Sequence, residues 1–455
     1  MPTRPEIKVL TNASVDVLNA IRNSASINYK NYVPIATPNA EVIKSIGAVI
    51  MDNPALQNEF LSALVNRIGK VLLTSRMYSN PWARFKKGML DFGETIEEIF
   101  VDIAKPFQFD PAVAETNVFK REQPNVKSAF HIMNYQKFYK ATIQQNELKN
   151  AFLSWDGVTN LIAKIVDAMY TAANYDEFLT MKYMLACHIL DGHLAPINVG
   201  TITSANMKAV TSAIKSASNT LEFLSTEYNL AGVHQHTEKT RQYLISTAAF
   251  DATMDVEVLA SAFNMNKAEF LGQRVLIDGF DKLDTDRLSE LFADDPNYRT
   301  FTAAELSQLA NVPAILIDED YFMVLDSLNE FTEQYNGEGL YWNYFYHAWK
   351  VFSVSPFSNA IIFTTTEPTA SAVSVTPSTA TIAKGGSVQL TATVTTTGFA
   401  KKSVVWSISP ANAGVTVSNA GVVSATTGAT SGNYTVTATA TADSSVTDTA
   451  TITVS

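Results

Sequence analysis

The hydrophobic pattern of the chain is most regular between residues 155 and 190. Apolar side chains recur there at steps of three and four, the spacing that places them on one helical face, and the stretch contains no proline. Gly192 follows at a position where glycine commonly closes a helix. At about 1.5 Å per residue, a helix of about 35 residues is roughly 50 Å long. The pattern therefore predicts one helix over 154–192 that spans a whole domain.

Shorter patterns lie on either side of this helix. Steps of three and four predict helices at 15–21, 53–68, 134–152, 254–263 and 302–309, and alternation or short apolar runs predict strands at 274–278, 314–317, 321–325 and 340–352. The last of these runs carries large rings on both faces, as in a central strand that is covered on both sides. Because strands and helices are largely segregated, the expected fold class is α+β.

A change of period marks residues 70–110. Apolar positions alternate at both ends of this stretch, and basic residues gather at the turn between them, namely Arg84, Lys86 and Lys87. We therefore predict a long hairpin with these three residues at its tip. An isolated hairpin is only marginally stable in water, so it would rest on a neighbouring chain, with its basic tip against an acidic surface. The alternative is a hairpin that folds back on its own domain.

The two ends of the chain differ from the middle. Residues 1–50 carry short helical patterns that a proline-bearing stretch interrupts, which predicts an arm that buries little alone and gains order on another surface. From about residue 364 onward the chain is rich in Thr, Ser, Ala and Val, with short alternating runs between Gly and Pro turns. This composition predicts a small β-sandwich, joined to the rest through a linker at 364–369.

Composition and charge narrow the class of protein. A chain of 455 residues that is 46% hydrophobic is expected to form two or three domains. Its net charge of -11 argues against a general nucleic-acid-coating surface, which needs clustered cations. The one cysteine, Cys187, rules out an intrachain disulfide and fits a reducing compartment. Without a signal-peptide pattern or a membrane-spanning apolar run, we expect a protein that folds in a cytoplasm.

Candidate metal and catalytic residues do not form a recognisable site. The acidic run 278–286 lacks the sixth-position glycine and the terminal glutamate of a calcium loop, so a solvated loop is the better interpretation. Two loose clusters of possible ligands lack zinc spacing: His234 with His236, and Cys187 with His188 and His193. No nucleophile elbow, phosphate loop, dinucleotide fingerprint or zincin motif occurs. Catalytic sites can also be assembled from distant residues, so the lack of motifs only removes positive evidence for an enzyme; we expect no metal, no cofactor and no enzymatic activity.

A set of short motifs resembles one protein family. In chain order they lie at 95–99 (TIEEI), 124–127 (PNVK), 258–266 (VLASAFNMN), 270–272 (FLG), 277–280 (IDGF), 321–324 (YFMV), 339–344 (GLYWNY) and 358–360 (SNA). Together they resemble the major capsid proteins of phi-29-like podophages. The C-terminal part resembles the bacterial group 2 Ig-like (BIG2) domain through motifs at 375–377, 384–386, 405–407, 421–423 and 436–438.

The resemblance implies a domain organisation. It is that of the HK-97-like fold of phage capsids, in a capsid domain over 1–366 that is followed by an Ig-like domain over 367–455. Within the capsid domain the expected parts are an N-terminal arm (1–50), an E-loop (70–110), a spine helix (154–192), an axial domain (196–313) and return strands of the peripheral domain (314–363).

The resemblance also implies a function. Copies of the chain would form pentamers and hexamers and assemble into the icosahedral or prolate head shell of a tailed bacteriophage. The shell would enclose double-stranded DNA without sequence-specific binding, assemble in the host bacterial cytoplasm with scaffolding and portal (connector) proteins, involve no membrane, and end in the virion. Arg84, Lys86 and Lys87, at the E-loop tip, would contact a neighbouring subunit.

Two alternatives come from other features. The Ig-like domain alone suggests a surface adhesin or a carbohydrate-binding protein, although the absence of a signal-peptide pattern opposes this. A capsid that crosslinks itself would need a lysine and an asparagine, for which Lys86, Lys87 and Asn359 offer the residue types. An activated nucleophile also needs a positioned base, and the sequence indicates none.

Overall fold

The structure is a computed structural model. It describes residues 10–37, 39–51, 53, 55–56, 59, 78–90, 95–110, 120–144, 157–256, 273–339, 341–411 and 414–455. The chain divides into two compact units, Met1–Arg76 and Met77–Ser455. Each unit is described by itself.

Within its described residues, the first unit contains the helices α1 (Leu10–Ser24), α2 (Ile27–Tyr32) and α3 (Ala40–Met51). The Asn19 side chain ties α1 to the following loop, because it donates to the carbonyl of Ala36 and accepts from its N–H, both at 2.8 Å. Buried apolar residues form a small core of their own: Ile21, Tyr29, Val33, Ala36, Ile46, Ile50 and Leu56. Leu56, beyond residue 50, belongs to the same cluster, and an N-terminal arm over 1–50 stays a prediction. The helix predicted at 53–68 lies largely outside the described residues.

The second unit is built on the long helix α4 (Gly157–Leu190), which confirms the helix predicted over 154–192. Gly192 closes it with φ +71°, and its N–H donates to the carbonyl of Ile189 at 3.1 Å. One sheet packs on this helix in the order β1-β9-β10-β4, from strands β1 (Lys86–Met89), β4 (Tyr135–Gln144), β9 (Phe322–Asn336) and β10 (Tyr341–Val354).

Strand β10 is central in this sheet, as predicted, and pairs antiparallel with both β9 and β4. Its Tyr346 and Ala348 are buried in one cluster with Met169 of α4. On the opposite face the aromatic side chains of Phe345 and Trp349 are only half-buried. The strand is therefore fully covered on one face, where the sequence indicated cover on both.

The helix predicted at 134–152 is wrong, since residues 135–144 form strand β4. A step of four residues returns to the same face in a strand as well as in a helix. Tyr135 and Tyr139 illustrate this ambiguity, because their hydroxyls lie 3.0 Å apart along one strand face. Pairing with β10 supplies the tertiary context that decides for the strand.

A second sheet has the order β5-β11-β8-β6-β7. Its strands are β5 (Ala195–Asn198), β6 (Gln242–Thr247), β7 (Gln273–Ile277), β8 (Ala314–Asp318) and β11 (Ala360–Thr364), and its helices are α5 (Met207–Thr220), α6 (Ala248–Met254), α7 (Thr285–Leu291) and α8 (Ala303–Leu309). Residues of α5 and α6 pack with one face of the sheet, and residues of α4 and α8 with the other. Strand β7 is an edge strand with Leu276 52% exposed, so the strand predicted at 274–278 exists but is not fully buried.

Helix α8 begins as predicted. The side-chain hydroxyl of Thr302 accepts from the N–H of Glu305, and the Glu305 side chain accepts from the N–H of Thr302. The helix predicted at 254–263 lies mostly outside the described residues.

In the pairing predicted for residues 70–110, the first strand, before residue 78, lies outside the described residues, and the second strand pairs with another segment. Strand β2 (Thr95–Val101) pairs antiparallel with β3 (Val126–Ile132), and β1 instead joins β9 as a parallel partner. The hairpin of this region is therefore β2–β3, and residues 84–88 do not lie at its tip.

The C-terminal region is all-β, as predicted. It comprises β12 (Thr369–Thr376), β13 (Thr379–Ile382), β14 (Ser387–Gln389), β15 (Thr391–Thr397), β16 (Val404–Ser409), β17 (Val415–Val417), β18 (Val422–Ala425), β19 (Gly432–Ala440) and β20 (Thr447–Val454). Alternating residues such as Val436, Ala438, Ala450 and Ile452 form its core. Threonines occupy most of the positions between them, which explains why composition alone marks the boundary of this domain.

Candidate functional site

The segment that carries Arg84, Lys86 and Lys87 is anchored in the interior of its own unit. Trp82 and Phe85 are 0% and 1% exposed, and both rings lie against Phe322, with centroids 5.6 and 5.3 Å from it. Of the three basic residues only Arg84 is exposed. The position predicted for them, an exposed hairpin tip, is wrong because the neighbouring rings draw this segment into the core.

Lys86 belongs to a cluster of four charges that we call the buried ion cluster: Lys86, Glu177, Asp326 and Lys350. The Lys86 ammonium lies 3.0 Å from Glu177 Oε2 and 2.6 Å from Asp326 Oδ2. The Lys350 ammonium lies 2.6 Å from Asp326 Oδ1 and also bonds to Glu177. Glu177 and Lys350 are 2% and 5% exposed. Two cations and two anions thus balance inside the protein, where unpaired charges are costly.

Three of these groups, Glu177, Asp326 and Lys86, are held in the charged state by their partners in the cluster. Burial alone would raise the pKa of Glu177, but the ammonium groups of Lys350 and Lys86 outweigh it and keep the pKa below its usual range. For Asp326 burial is outweighed in the same way, first by Lys350. For Lys86 burial acts to lower the pKa, and the two carboxylates raise it. The cluster therefore joins the segment before β1 to α4 and to the sheet.

Lys87 is held at a second place. Its ammonium donates to the carbonyl of Glu319 at 3.0 Å and pairs with the carboxylate of Asp320, which also pairs with Arg241. These acidic residues lie at the turn between β8 and β9. Lys86 and Lys87 are thus engaged within their own chain, and a contact of Arg84, Lys86 or Lys87 with a neighbouring subunit stays a prediction.

The β2–β3 hairpin has one face attached to the protein. Phe100 stacks on Phe357 with centroids 5.5 Å apart, and His131 Nδ1 lies 2.8 Å from the hydroxyl of Ser353. The Lys127 ammonium donates to the carbonyl of Ala231 at 2.5 Å. These contacts fix the orientation of the hairpin.

The opposite face of the hairpin, which we call the outward face, is exposed and mostly apolar, with Thr95, Glu97 and Ser128 as its polar positions. Five large side chains on it are between 51% and 63% exposed: Ile99, Val101, Val126, Phe130 and Ile132. They share one face because residues alternate along each strand, and Val101 stands opposite Val126 in the ladder. Beyond β2, Phe107 and Phe109 are 71% and 89% exposed. A contiguous exposed apolar surface of this kind marks a site of protein contact.

The Ig-like region is attached to the end of α4 by one loop. Gly398 and Phe399 adopt positive φ angles of 59° and 62°, and Phe399 is buried in the same cluster as Leu190. A side chain at Gly192 would place its Cβ 2.6 Å from the carbonyl oxygen of Ala400. The sequence analysis missed this contact. Its signal was a phenylalanine beside a glycine and two lysines in a region otherwise dominated by threonine.

The other candidate residues have structural partners. In the acidic run, Asp278 accepts from the Lys182 ammonium at 2.6 Å and Asp284 caps α7. His234 Nδ1 lies 2.8 Å from Asp102, and His188 Nδ1 lies 2.9 Å from that of His193. Across the described part of the chain, no three His, Cys, Asp or Glu residues come together as a metal site.

The residues of a possible self-crosslink are not brought together. Asn359 is 1% exposed, and its amide group bonds to Thr237 and Asn229, whereas the two lysines bond to carboxylates elsewhere. Burial raises the pKa of the Cys187 thiol to about 11, so this cysteine is a poor nucleophile. Among the helices that the structure describes, none combines the length and the apolarity needed to cross a bilayer.

Comparisons with known proteins match the capsid region and the Ig-like region separately. Residues 18–364 match the family model of the Phi29-like phage major capsid protein, and residues 369–454 match that of the bacterial Ig-like domain (group 2). The major capsid protein of Bacillus phage B103 is 39% identical over 419 residues, which cover 90% of this chain and 86% of the relative. That of Bacillus phage PZA is 37% identical over 417 residues, with the same two coverages.

Solved structures give the same fold. A chain from the capsid structure of Staphylococcus phage Andhra superposes with a TM-score of 0.52 at 16% identity, and the match covers 66% of this chain and 88% of that one. A chain from a structure of native bacteriophage P68 superposes with a TM-score of 0.51 at 16% identity, with the same coverages.

Proposed function

The chain belongs to the Phi29-like phage major capsid protein family, and from this premise we propose that its subunits are joined in the shell through the outward face of the β2–β3 hairpin. It is a major capsid protein of a tailed phage, with an HK-97-like fold and a C-terminal group 2 Ig-like domain. As such it is a component of the virion and assembles with copies of itself. The matches do not support the adhesin alternative.

One observation carries the proposal: the five exposed apolar side chains of the outward face. Burying such a side chain from full exposure contributes about 1.5–3 kcal/mol. These five are between 51% and 63% exposed, so covering what remains contributes roughly 6 kcal/mol in total before the cost of association is subtracted. A single such contact is modest. In a closed shell each subunit is held by several neighbours at once, so contacts of this size become effectively permanent.

The hairpin takes the role that the sequence analysis gave to residues 70–110. We place the E-loop at 95–132, because the described part of the chain leaves the outward face of the β2–β3 hairpin exposed. Arg84 is exposed and remains the candidate basic contact to a neighbour, whereas Lys86 and Lys87 are committed within the subunit. We assign the remaining parts as before, with an N-terminal arm at 1–50, an axial domain at 196–313 and return strands at 314–363.

The shell proposed here has further partners. We propose pentamers and hexamers in an icosahedral or prolate head, assembled in the host bacterial cytoplasm with scaffolding and portal (connector) proteins. The shell encloses double-stranded DNA without sequence-specific binding, and the net charge of -11 supports a wall that does not adhere to the packed genome. The role is structural, without a catalytic step.

The experiment compares two charged substitutions at equally exposed apolar positions. Phe130→Asp lies on the outward face, and Val405→Asp, on the Ig-like domain, is the matched control at 60% exposure against 63%. Each variant is co-expressed with a scaffolding protein and viewed by negative-stain electron microscopy. We expect Phe130→Asp to form no shells, while the thermal unfolding temperature of the subunit stays unchanged. Val405→Asp is expected to assemble. Normal shells from Phe130→Asp would refute the proposal.

A further inference from the structure

A cleft of about 390 Å³ separates the Ig-like domain from the end of α4. Residues from both sides line it: Asp191, Gly192, His193, Thr226, Asn229, Leu230, Gly232, Lys401, Lys402, Ser403 and Thr441. None of the contacts described so far fills this space. Its lining combines cations, an imidazole and hydroxyl groups.

The two lysines of the cleft have no anionic partner at close range. The Lys402 ammonium donates to the carbonyl of Leu190 at 2.7 Å, and that of Lys401 to the carbonyl of Glu227 at 2.5 Å. Within the described part of the chain, no carboxylate oxygen lies within 4 Å of either ammonium, and Asp191 pairs instead with Arg299 at 2.9 Å. Burial lowers the pKa of Lys401, and the carboxylate of Glu227 opposes this only in part. The two ammonium groups therefore lack a close carboxylate, although Asp191 lines the cleft and the carboxylate of Glu227 acts on Lys401 from a longer distance.

The imidazole of His193 adds a donor suited to the oxygens of an anion. His193 uses its Nδ1 in the contact with His188, which leaves Nε2 for a ligand. The hydroxyls of Ser403 and Thr441 bond to each other at 2.6 Å, and that of Thr441 donates to the carbonyl of Ser403 at 3.0 Å, so their hydrogens are engaged within the Ig-like domain. Ammonium and imidazole groups are usual donors to phosphate oxygens.

We propose that this cleft binds a phosphate group, which joins Lys401 and Lys402 of the Ig-like domain to His193 at the end of α4. A phosphate brings at least one negative charge to the two ammonium groups. The bound anion adds a bridge to the contact that Phe399 already makes, so it stabilises the docked position of the Ig-like domain. The volume leaves room for a phosphate that is part of a larger molecule.

The same geometry gives the binding a pH dependence. Burial lowers the pKa of His188 to about 4. Burial also lowers the pKa of His193. The carboxylate of Asp191 opposes that decrease, and the Lys402 ammonium adds to it. The other charges that face the site are Lys401 and Glu227. A bound anion favours the protonated imidazole of His193, so affinity increases as the pH falls below the usual histidine value of about 6.5.

The test is calorimetric titration of inorganic phosphate into the full-length protein, at constant ionic strength in chloride. We expect Lys401→Met and Lys402→Met each to weaken binding at least tenfold. Lys384→Met, which removes an exposed lysine elsewhere on the Ig-like domain, is the matched control and is expected to leave the affinity unchanged. Equal affinity in all three variants, or no saturable binding to the parent protein, would overturn the proposal.

Further arms separate a charge effect from a folding effect and identify the source of the phosphate. Lys401→Arg keeps the charge and is expected to bind within threefold of the parent, whereas a loss as large as that of Lys401→Met would overturn the electrostatic argument. Dimethyl phosphate stays a monoanion between pH 6 and 8, so it isolates the protein's titration: we expect tighter binding at pH 6 in the parent and none of this gain in His193→Gln. Binding of both ligands indicates a phosphodiester as the natural source, and binding of inorganic phosphate alone indicates the free ion.

Discussion

Two neighbouring segments, residues 80–90 and the β2–β3 hairpin at 95–132, reverse the usual relation between charge and exposure. The first is basic, and yet Lys86 ends in a buried ion cluster beside two fully buried rings. The second has apolar side chains on both faces and leaves one of them exposed. The difference teaches that a segment's own composition does not determine its exposure. What decides is whether the rest of the chain supplies a partner for each face.

The buried ion cluster gives the sharpest test of this comparison. Lys350→Met leaves the carboxylates of Glu177 and Asp326 with a single ammonium, and breaking a buried charge pair costs about 3–5 kcal/mol. We expect a loss of that order in the free energy of unfolding, measured in urea. Lys140→Met is the matched control, because this lysine is exposed on the adjacent strand β4. A loss below 1 kcal/mol in Lys350→Met would mean that the cluster does not anchor the segment before β1.

How far the sequence predicts the fold follows from the range of the interactions involved. Helix α4 could be predicted because its period of three to four residues extends over many turns. Strand β10 could be predicted because of its run of aromatic residues. Strand β4 was missed because Tyr135 and Tyr139 fit both periods and only pairing with β10 decides between them. A local sequence pattern is thus enough to predict α4 and β10, whereas β4 depends on a tertiary contact that the local pattern does not show.

The candidate site was less predictable than the fold. Lys86 could not be placed from the sequence, since its partners Glu177 and Asp326 lie 91 and 240 positions away. The same holds for the loop at Phe399, which contacts a helix end more than 200 positions earlier in the chain. By contrast, the exposed face of β2 could have been recognised from the sequence. Apolar residues occur on both faces of this strand, and packing against the domain covers only one face.

The second test uses pH to weaken the same region without mutation. The pKa values of Glu177 and Asp326 are held below their usual range, so the stability that these groups contribute is fully present above the unfolded values of about 4.3 and 3.9. It is lost as the pH falls through the lower folded values. We expect acid unfolding of the parent protein to be steeper than that of Lys350→Met, measured by circular dichroism between pH 5 and 2. Identical acid profiles would contradict the coupling of these groups.

Substitution of Lys87 is expected to have the smallest effect on the free energy of unfolding. It tests the case of a lysine in the same segment whose partner is exposed. It lies two positions from Phe85 in the same segment, but its partner Asp320 is 46% exposed, so water screens the pair. Exposed ion pairs contribute about 0–1 kcal/mol, and we expect Lys87→Met to change the free energy of unfolding by no more than that. The measurement is the same urea titration as for Lys350→Met. Two lysines of like charge at neighbouring sites should thus differ severalfold in their effect. If Lys87→Met instead lowered the free energy of unfolding as much as Lys350→Met does, burial of the ion pair would not determine how much each lysine contributes to stability.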